Sequence, residues 1–209
     1  MAKSATMKRK PKLEPTPGGS TYVKPQDMEW KPSPFEGVSI KMLYDDPSTG
    51  DMTCLLEWEP KSYPFFHEHA DVEQSYVFEG SFYDHAGITR AGEFVWRTPH
   101  SRHEARTDEG VLMLSTFKKP NIFFDKAGSI LGERDERINT KTRAGESQPS
   151  LEPTDGSTFV KPQDMEWKPT PFKGISIKAL YEDKTLGELT CLLKWEPGAH
   201  LPFHKHPAI

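Results

Sequence analysis

Residues 157–167, Ser-Thr-Phe-Val-Lys-Pro-Gln-Asp-Met-Glu-Trp, repeat residues 20–30 with a single Tyr-to-Phe change. The copy continues at the same offset: Cys191 matches Cys54, Trp195 matches Trp58, His204 matches His67 and His206 matches His69. Over residues 20–72 and 157–209, 32 of the 53 aligned positions are identical. An internal duplication of this kind makes both stretches the same supersecondary unit, so what is read in the first applies to the second. The repeat runs only to Ile209, opposite Val72. A half-unit of strands buries too little surface to stand alone and leaves strand edges open. Residues 157–209 are therefore expected to pack on the first unit or on another subunit.

The unit itself reads as β. Val38, Ile40, Met42 and Tyr44 recur at spacing two, the period of a half-buried strand. The turn Asp46-Pro47-Ser48-Thr49-Gly50 leads into Met52–Trp58, with Cys54 and Leu56 inside it, which makes a hairpin. Thr21–Lys24 is a further short strand candidate, while Pro25, Pro32 and Pro34 exclude a central strand or long helix between them. Gln74–Phe78, Glu93–Trp96 and Gly110–Phe117 continue the pattern, broken by Gly80, Gly87 and Gly92. Short strands with turn signals at this density predict an all-β sandwich or barrel. The organisation expected is a disordered tail over 1–19, a metal-binding domain over 20–125, a linker over 126–156 with a helical turn about 134–138, and the partial repeat over 157–209.

Composition excludes several classes. The net charge of -4 gives no basic footprint, and Lys8-Arg9-Lys10 is the only basic run, so nucleic-acid binding is not expected. No apolar run approaches the roughly 20 residues a bilayer span needs, and the N-terminus lacks the apolar core of a signal peptide. A cytoplasmic protein without a membrane partner is the expectation. Cys54 and Cys191 lie in alternating apolar runs and read as small buried hydrophobes.

The chemistry concentrates in His67-Glu68-His69-Ala70-Asp71-Val72-Glu73. In an extended strand the side chains of His67 and His69 point to one face, and Glu73 shares their parity. His103 lies beyond a Pro- and Gly-punctuated hairpin and would arrive from a neighbouring strand. Three imidazoles and a carboxylate suit Zn, Fe, Mn, Ni or Cu. Glu68 and Asp71 have the opposite parity and are expected to be exposed. His85 and His100 read as turn residues. Gln74 is expected to hydrogen-bond a ligating group, and Phe65, Phe66, Tyr76, Phe78, Phe94 and Trp96 are expected to line an apolar cavity round the metal. His204 and His206 supply only two ligands and read as a vestigial site.

These residues resemble the cupin superfamily. His67-x-His69-x3-Glu73-x6-Gly80 fits the core of its first motif, and Gly92, Pro99 and His103 stand for the second. Pro99 to His103 is one residue shorter than the family spacing, which keeps His100 in play as the third histidine. Gly80–Asp84, Ala91–Val95, Ser101–Glu104 and Glu109–Leu112 look like the ChrR-type group, and Pro120–Asp125 resembles the ending of acetylacetone dioxygenase. The resemblance implies a double-stranded β-helix (jelly-roll) barrel followed by an incomplete second cupin half, and a homodimer. It implies one divalent metal, Fe(II) or Zn first, with Mn or Ni as further options, and a small-molecule ligand. Two functions follow as expectations. One is a dioxygenase acting on a diketone or aromatic ketone; the other is a non-catalytic zinc-binding sensor module. The likeness to ChrR is to its cupin part alone and does not imply sigma-factor binding.

Overall fold

The computed structural model describes residues 19–125, 130 and 152–204. The tail before residue 19, the helical turn about 134–138 and His206 lie outside the described residues. Period-two segments become strands β1 (Lys31–Pro32), β2 (Val38–Asp46), β3 (Asp51–Trp58), β4 (His67–Glu68), β5 (Glu73–Tyr83), β6 (Ile88–Arg90), β7 (Phe94–Arg97), β8 (Arg102–His103), β9 (Val111–Phe117) and β10 (Ile122–Phe123). The second copy contributes β11 (Ser157–Val160), β12 (Lys168–Pro169), β13 (Ile175–Asp183) and β14 (Glu188–Trp195).

An eight-stranded sheet runs in the order β1-β2-β3-β9-β5-β7-β11, with β6 attached to β5. A small facing sheet, β10-β4-β8, carries the histidines. Between them lies a core of Val38, Trp58, Val77, Phe82, Val95, Ala105, Val111 and Met113. The fold is all-β, as the strand density predicts, and a jelly roll, as the cupin resemblance implies. Gly80 shows why a glycine is needed at the end of the first histidine motif: its φ is +70°, and a Cβ there would overlap the Gly110 carbonyl as β5 and β9 close together.

The β2–β3 hairpin forms with a register shift between Met42 and Tyr44. The second copy repeats it, down to the same shift between Ala179 and Tyr181. Both copies also repeat a lysine lock. Lys41 Nζ donates to Pro25 O at 2.9 Å and lies 4.5 Å from the Trp30 ring, while Lys178 Nζ donates to Pro162 O at 2.5 Å and lies 4.7 Å from the Trp167 ring.

One repeated segment does not repeat its structure. Thr21–Lys24 forms no strand, whereas Ser157–Val160, the counterpart of Ser20–Val23, is β11, paired antiparallel with β7 from Ser157↔Arg97 to Val160↔Phe94. The two segments have nearly the same sequence, so local propensity does not decide the outcome. The second lies along the edge of β7, and the first pairs with no strand.

This pairing fastens residues 157–204 to the first unit. Phe94, Leu180 and Tyr181 form a second buried cluster, with Val72, Tyr76, Trp96, Val160, Met165 and Leu192 packed on it. The Trp96 and Tyr181 rings meet edge-on at 5.1 Å. Among the described residues, no helix is long and apolar enough to cross a membrane.

Candidate metal centre

Antiparallel pairing of β4 with β8 sets His67 directly opposite His103. His69 follows immediately after β4, and its backbone extends the same ladder, donating to Ser101 O and accepting from His100 N. Strand parity thus brings His67 and His69 to one face and the partner strand adds His103. The ring centroids stand 4.5 Å apart for His67 and His103, 4.9 Å for His67 and His69, and 5.0 Å for His69 and His103. One ring nitrogen from each lies within 4.8 Å of the others, and all three residues are buried.

The orientations of two of the rings are fixed from behind. His67 Nδ1 lies 3.0 Å from Phe65 O, which makes Nδ1 the donor and leaves Nε2 with its lone pair. His103 Nδ1 lies 2.8 Å from Asp84 Oδ2, which fixes the same tautomer. A carboxylate behind a histidine is the arrangement that orients imidazole ligands in metal sites. His69 Nδ1 stands 3.1 Å from Glu73 Oε2, an ion-pair distance without hydrogen-bond alignment. His69 Nε2 and His103 Nε2 are buried with no hydrogen-bond partner. Buried orphan nitrogens are costly, and a cation among them would remove the cost.

Glu73 lies beside this group rather than in it. Its Oε2 accepts from Asn121 Nδ2 at 2.6 Å, and its Oε1 is 3.7 Å from Arg97 Nη1. Arg97 is 1% exposed and also donates to Asp84 Oδ2 at 3.0 Å. Glu73, Arg97 and Asp84 form a buried charged relay around the histidines.

The electrostatics follow. Burial drives the His67 imidazole well below its ordinary pKa, and the other two histidines add to the effect. Burial, reinforced by the Arg97 charge, pushes His103 down to about 3. Burial opposes ionisation of Glu73, but His69 and Arg97 outweigh it and hold the carboxyl well below the usual range. At Asp84 burial is likewise overcome, by the hydrogen bond from His103 and the Arg97 charge. His67 and His103 are therefore neutral and their lone pairs available at physiological pH, as metal binding requires.

His67 and His103 open onto an apolar cavity of about 150 Å³. Its walls include Val38, Ile40 and Met42 from β2, and Met52, Cys54 and Leu56 from β3. Phe82, Met113, Phe117 and Phe123 complete the apolar part, and Glu73, Arg97 and Asn121 supply polar groups.

The expected pocket residues lie elsewhere. Gln74, Tyr76, Phe94 and Trp96 occupy the other face of the main sheet, where Gln74 pairs with Trp96 and Tyr76 with Phe94. Their even parity sets them opposite Glu73 and Ser75, which line the cavity. Tyr76, Phe94 and Trp96 pack against the second copy, and Gln74 Oε1 accepts from Thr190 Oγ1 at 2.5 Å. Phe78 is 47% exposed. Phe65 packs edge-on to Phe35 at 5.8 Å, and Phe66 packs on Phe124 at 6.3 Å, so neither lines the cavity.

His100 is exposed, with φ +65° and its Nδ1 3.1 Å from Glu68 Oε1. The structure brings His103 and not His100 to the group. Glu68 is half-buried rather than exposed, because Arg102 Nε donates to it at 2.7 Å. His204 is exposed and lies apart from the buried group. Arg97 was indicated by no sequence motif, and Asp84 and Asn121 lie in the segments Gly80–Asp84 and Pro120–Asp125, which carried the resemblance without a role for either residue. Only the register Glu73↔Arg97 across β5 and β7 would have revealed the arginine.

Comparison with known proteins agrees with the fold. No curated protein sequence matches the chain. The acetylacetone dioxygenase of Acinetobacter johnsonii is 20% identical with a TM-score of 0.50, over 54% of this chain and 83% of that one. An RmlC-like cupin protein of Ralstonia eutropha is 20% identical with a TM-score of 0.50, over 54% of this chain and 77% of that one. Likeness at these identities shows a shared cupin fold. The model of the ChrR cupin-like domain matches residues 19–121 and again 155–209, most of both copies, and the chain belongs to the ChrR cupin-like domain family.

Proposed function

We propose that His67, His69 and His103 hold one divalent transition metal and that the chain is a small-molecule dioxygenase of the Fe(II) type, acting on a diketone or aromatic ketone. The observation that carries this reading is a cluster of three buried histidines, two of which, His67 and His103, are oriented from behind and open onto an apolar cavity. A closed four-ligand set would suit a structural zinc, whereas three protein ligands leave positions for a substrate. Glu73 lies outside the tight group of nitrogens, which supports the open set.

Fe(II), when bound, would polarise a coordinated ketone oxygen and pass electrons from the substrate to O2, the substrate being what is oxidised. The chain's own residues do the rest. Asp84 and the Phe65 carbonyl hold His103 and His67 in the ligating tautomer. Glu73, anchored by Asn121 and Arg97, steadies His69. Met42, Leu56, Met113 and Phe117 keep water from the reacting face. A cavity of about 150 Å³ accommodates a molecule the size of benzene, which favours a small diketone over the larger aromatic ketones.

Residues 157–204 act here as a buttress to the back of the main sheet. The test is metal analysis of protein purified anaerobically with iron present, followed by O2 uptake over a panel of diketones and aromatic ketones. Iron with uptake on a member of the panel is the expected result. Stoichiometric zinc with no uptake would replace this reading by the non-catalytic sensor module.

A further inference from the structure

The partial repeat leaves one strand half covered. In the first unit β3 pairs with β2 on one edge and with β9 on the other, from Met52↔Phe117 to Trp58↔Val111. Its Met52, Cys54, Leu56 and Trp58 line the cavity. β14 is the copy of β3, and among the described residues it pairs with β13 alone. Its even-numbered side chains are taken up by the first unit: Glu188 meets Lys118 at 3.1 Å, Thr190 donates to Gln74, and Leu192 packs on the second buried cluster. The odd-numbered ones, which match the cavity-lining residues of β3, point the other way. Leu189 is 51% exposed, Leu193 47% and Trp195 45%. A strand edge and an apolar face thus lie open together, the combination that marks an interaction surface.

The strand's own sequence narrows the occupant. β1 and β12 end their sheets as two-residue strands that contain proline, and β11 has four residues, so those edges are blunted. β14 has eight residues and no proline. β9 cannot cover it, because β3 and β5 hold both of its edges. β14 is, however, complementary to itself. Set antiparallel to a second β14 about a twofold axis at Cys191, it brings Glu188 opposite Lys194, the strand's only two charges, and Leu189 opposite Leu193. An axis at Thr190 would set Glu188 against Leu192, and one at Leu192 would set it against Glu196. Only the axis at Cys191 matches charge with charge and leucine with leucine.

We propose that β14 docks on β14 of a second copy of this chain, antiparallel about a twofold axis at Cys191, so that the two β12-β13-β14 sheets become one continuous sheet. The backbone groups left open on β14 are then paired, and Leu189 and Leu193 of the two chains cover one another on the outer face. Glu188 gains Lys194 of the partner subunit beside its own Lys118. The interface uses no residue of the metal centre or of its cavity.

The test is sedimentation of the full chain across the micromolar range, which should show a reversible dimer. Leu193→Lys places a charge in the paired apolar face and should weaken dimerisation about tenfold or more. Lys194→Glu is the gentler variant: it sets like charges opposite one another and should weaken the dimer several-fold. Both residues are exposed, so the circular dichroism spectrum of each variant should match the parent's. The register is read separately. Opposed residues of an antiparallel pair hold their Cβ atoms about 5 Å apart, so a short bis-maleimide should join Cys191 to Cys191 of the partner subunit. The same reagent should leave Cys191→Ala unlinked, since Cys54 is buried. A monomer throughout that range, a dimer indifferent to Leu193→Lys, or a dimer whose Cys191 thiols stay unlinked would each overturn the proposal.

Discussion

His67 and His103 are cross-strand partners, 36 residues apart in sequence and 4.5 Å apart between ring centroids. Their ring orientations are set independently, one by the backbone carbonyl of Phe65 and the other by the carboxylate of Asp84. A site assembled in this way depends on strand register and on the groups behind the rings, and each dependence can be measured.

Asp84→Asn tests the support behind His103. The amide cannot accept the Nδ1 proton as a carboxylate does, and its NH2 can turn towards the ring and reverse the tautomer. Metal affinity should fall about 10- to 100-fold while the fold persists. Competition titration against a chelator measures it. An unchanged affinity would show that Asp84 serves only to neutralise Arg97.

The buried histidines make stability depend on pH. His103 titrates near 3 in the folded chain against 6.5 ordinarily, and His67 is lowered in the same direction. Below about 6.5 the unfolded chain takes up protons that the folded chain refuses, so stability falls as pH falls. Glu73 and Asp84, held below the usual carboxylate range, add a second loss once the pH drops through about 4. The urea midpoint of the metal-free chain should therefore decline steadily from pH 7 to pH 5, and His103→Gln should decline less steeply. A flat midpoint over that range would contradict the burial of neutral imidazoles.

The second copy should stabilise the first. Tyr181→Ala removes a ring packed on Trp96 and should cost about 2–4 kcal/mol in chemical denaturation. A chain ending at residue 130 loses β11 and uncovers Tyr76, Phe94 and Trp96. It should melt at lower temperature and self-associate through the uncovered face. Equal stability and an unchanged assembly state would show that the repeat is not part of the folded unit.

The sequence carried the hairpins and the histidines because both follow a period of two. Val38, Ile40 and Met42 face inward for the same reason that His67 and His69 share a face. Parity also explains the misplaced pocket. Gln74, Tyr76, Phe94 and Trp96 are aromatic or polar neighbours of the motif in sequence, but their parity is opposite to that of Glu73 and Arg97. Aromatic character alone suggested a ligand cavity, whereas register put those rings under the second copy. Asp84 and Asn121 lie in segments that carried the resemblance, but nothing in those segments pointed to the histidines. One lies just past the end of β5 and the other just before β10, and only closure of the barrel brings them to the histidines. The nearly identical segments at Thr21 and Thr158 differ for a reason of the same kind, since only one of them meets an open strand edge.

The most direct test is the metal content of the full chain and of three single variants, His67→Ala, His103→Ala and His100→Ala, each purified with iron and zinc available and checked for folding by circular dichroism. The account predicts one metal per chain in the parent and in His100→Ala, and none in His67→Ala or His103→Ala. Metal retained in folded His67→Ala or His103→Ala, or lost in His100→Ala, would contradict it.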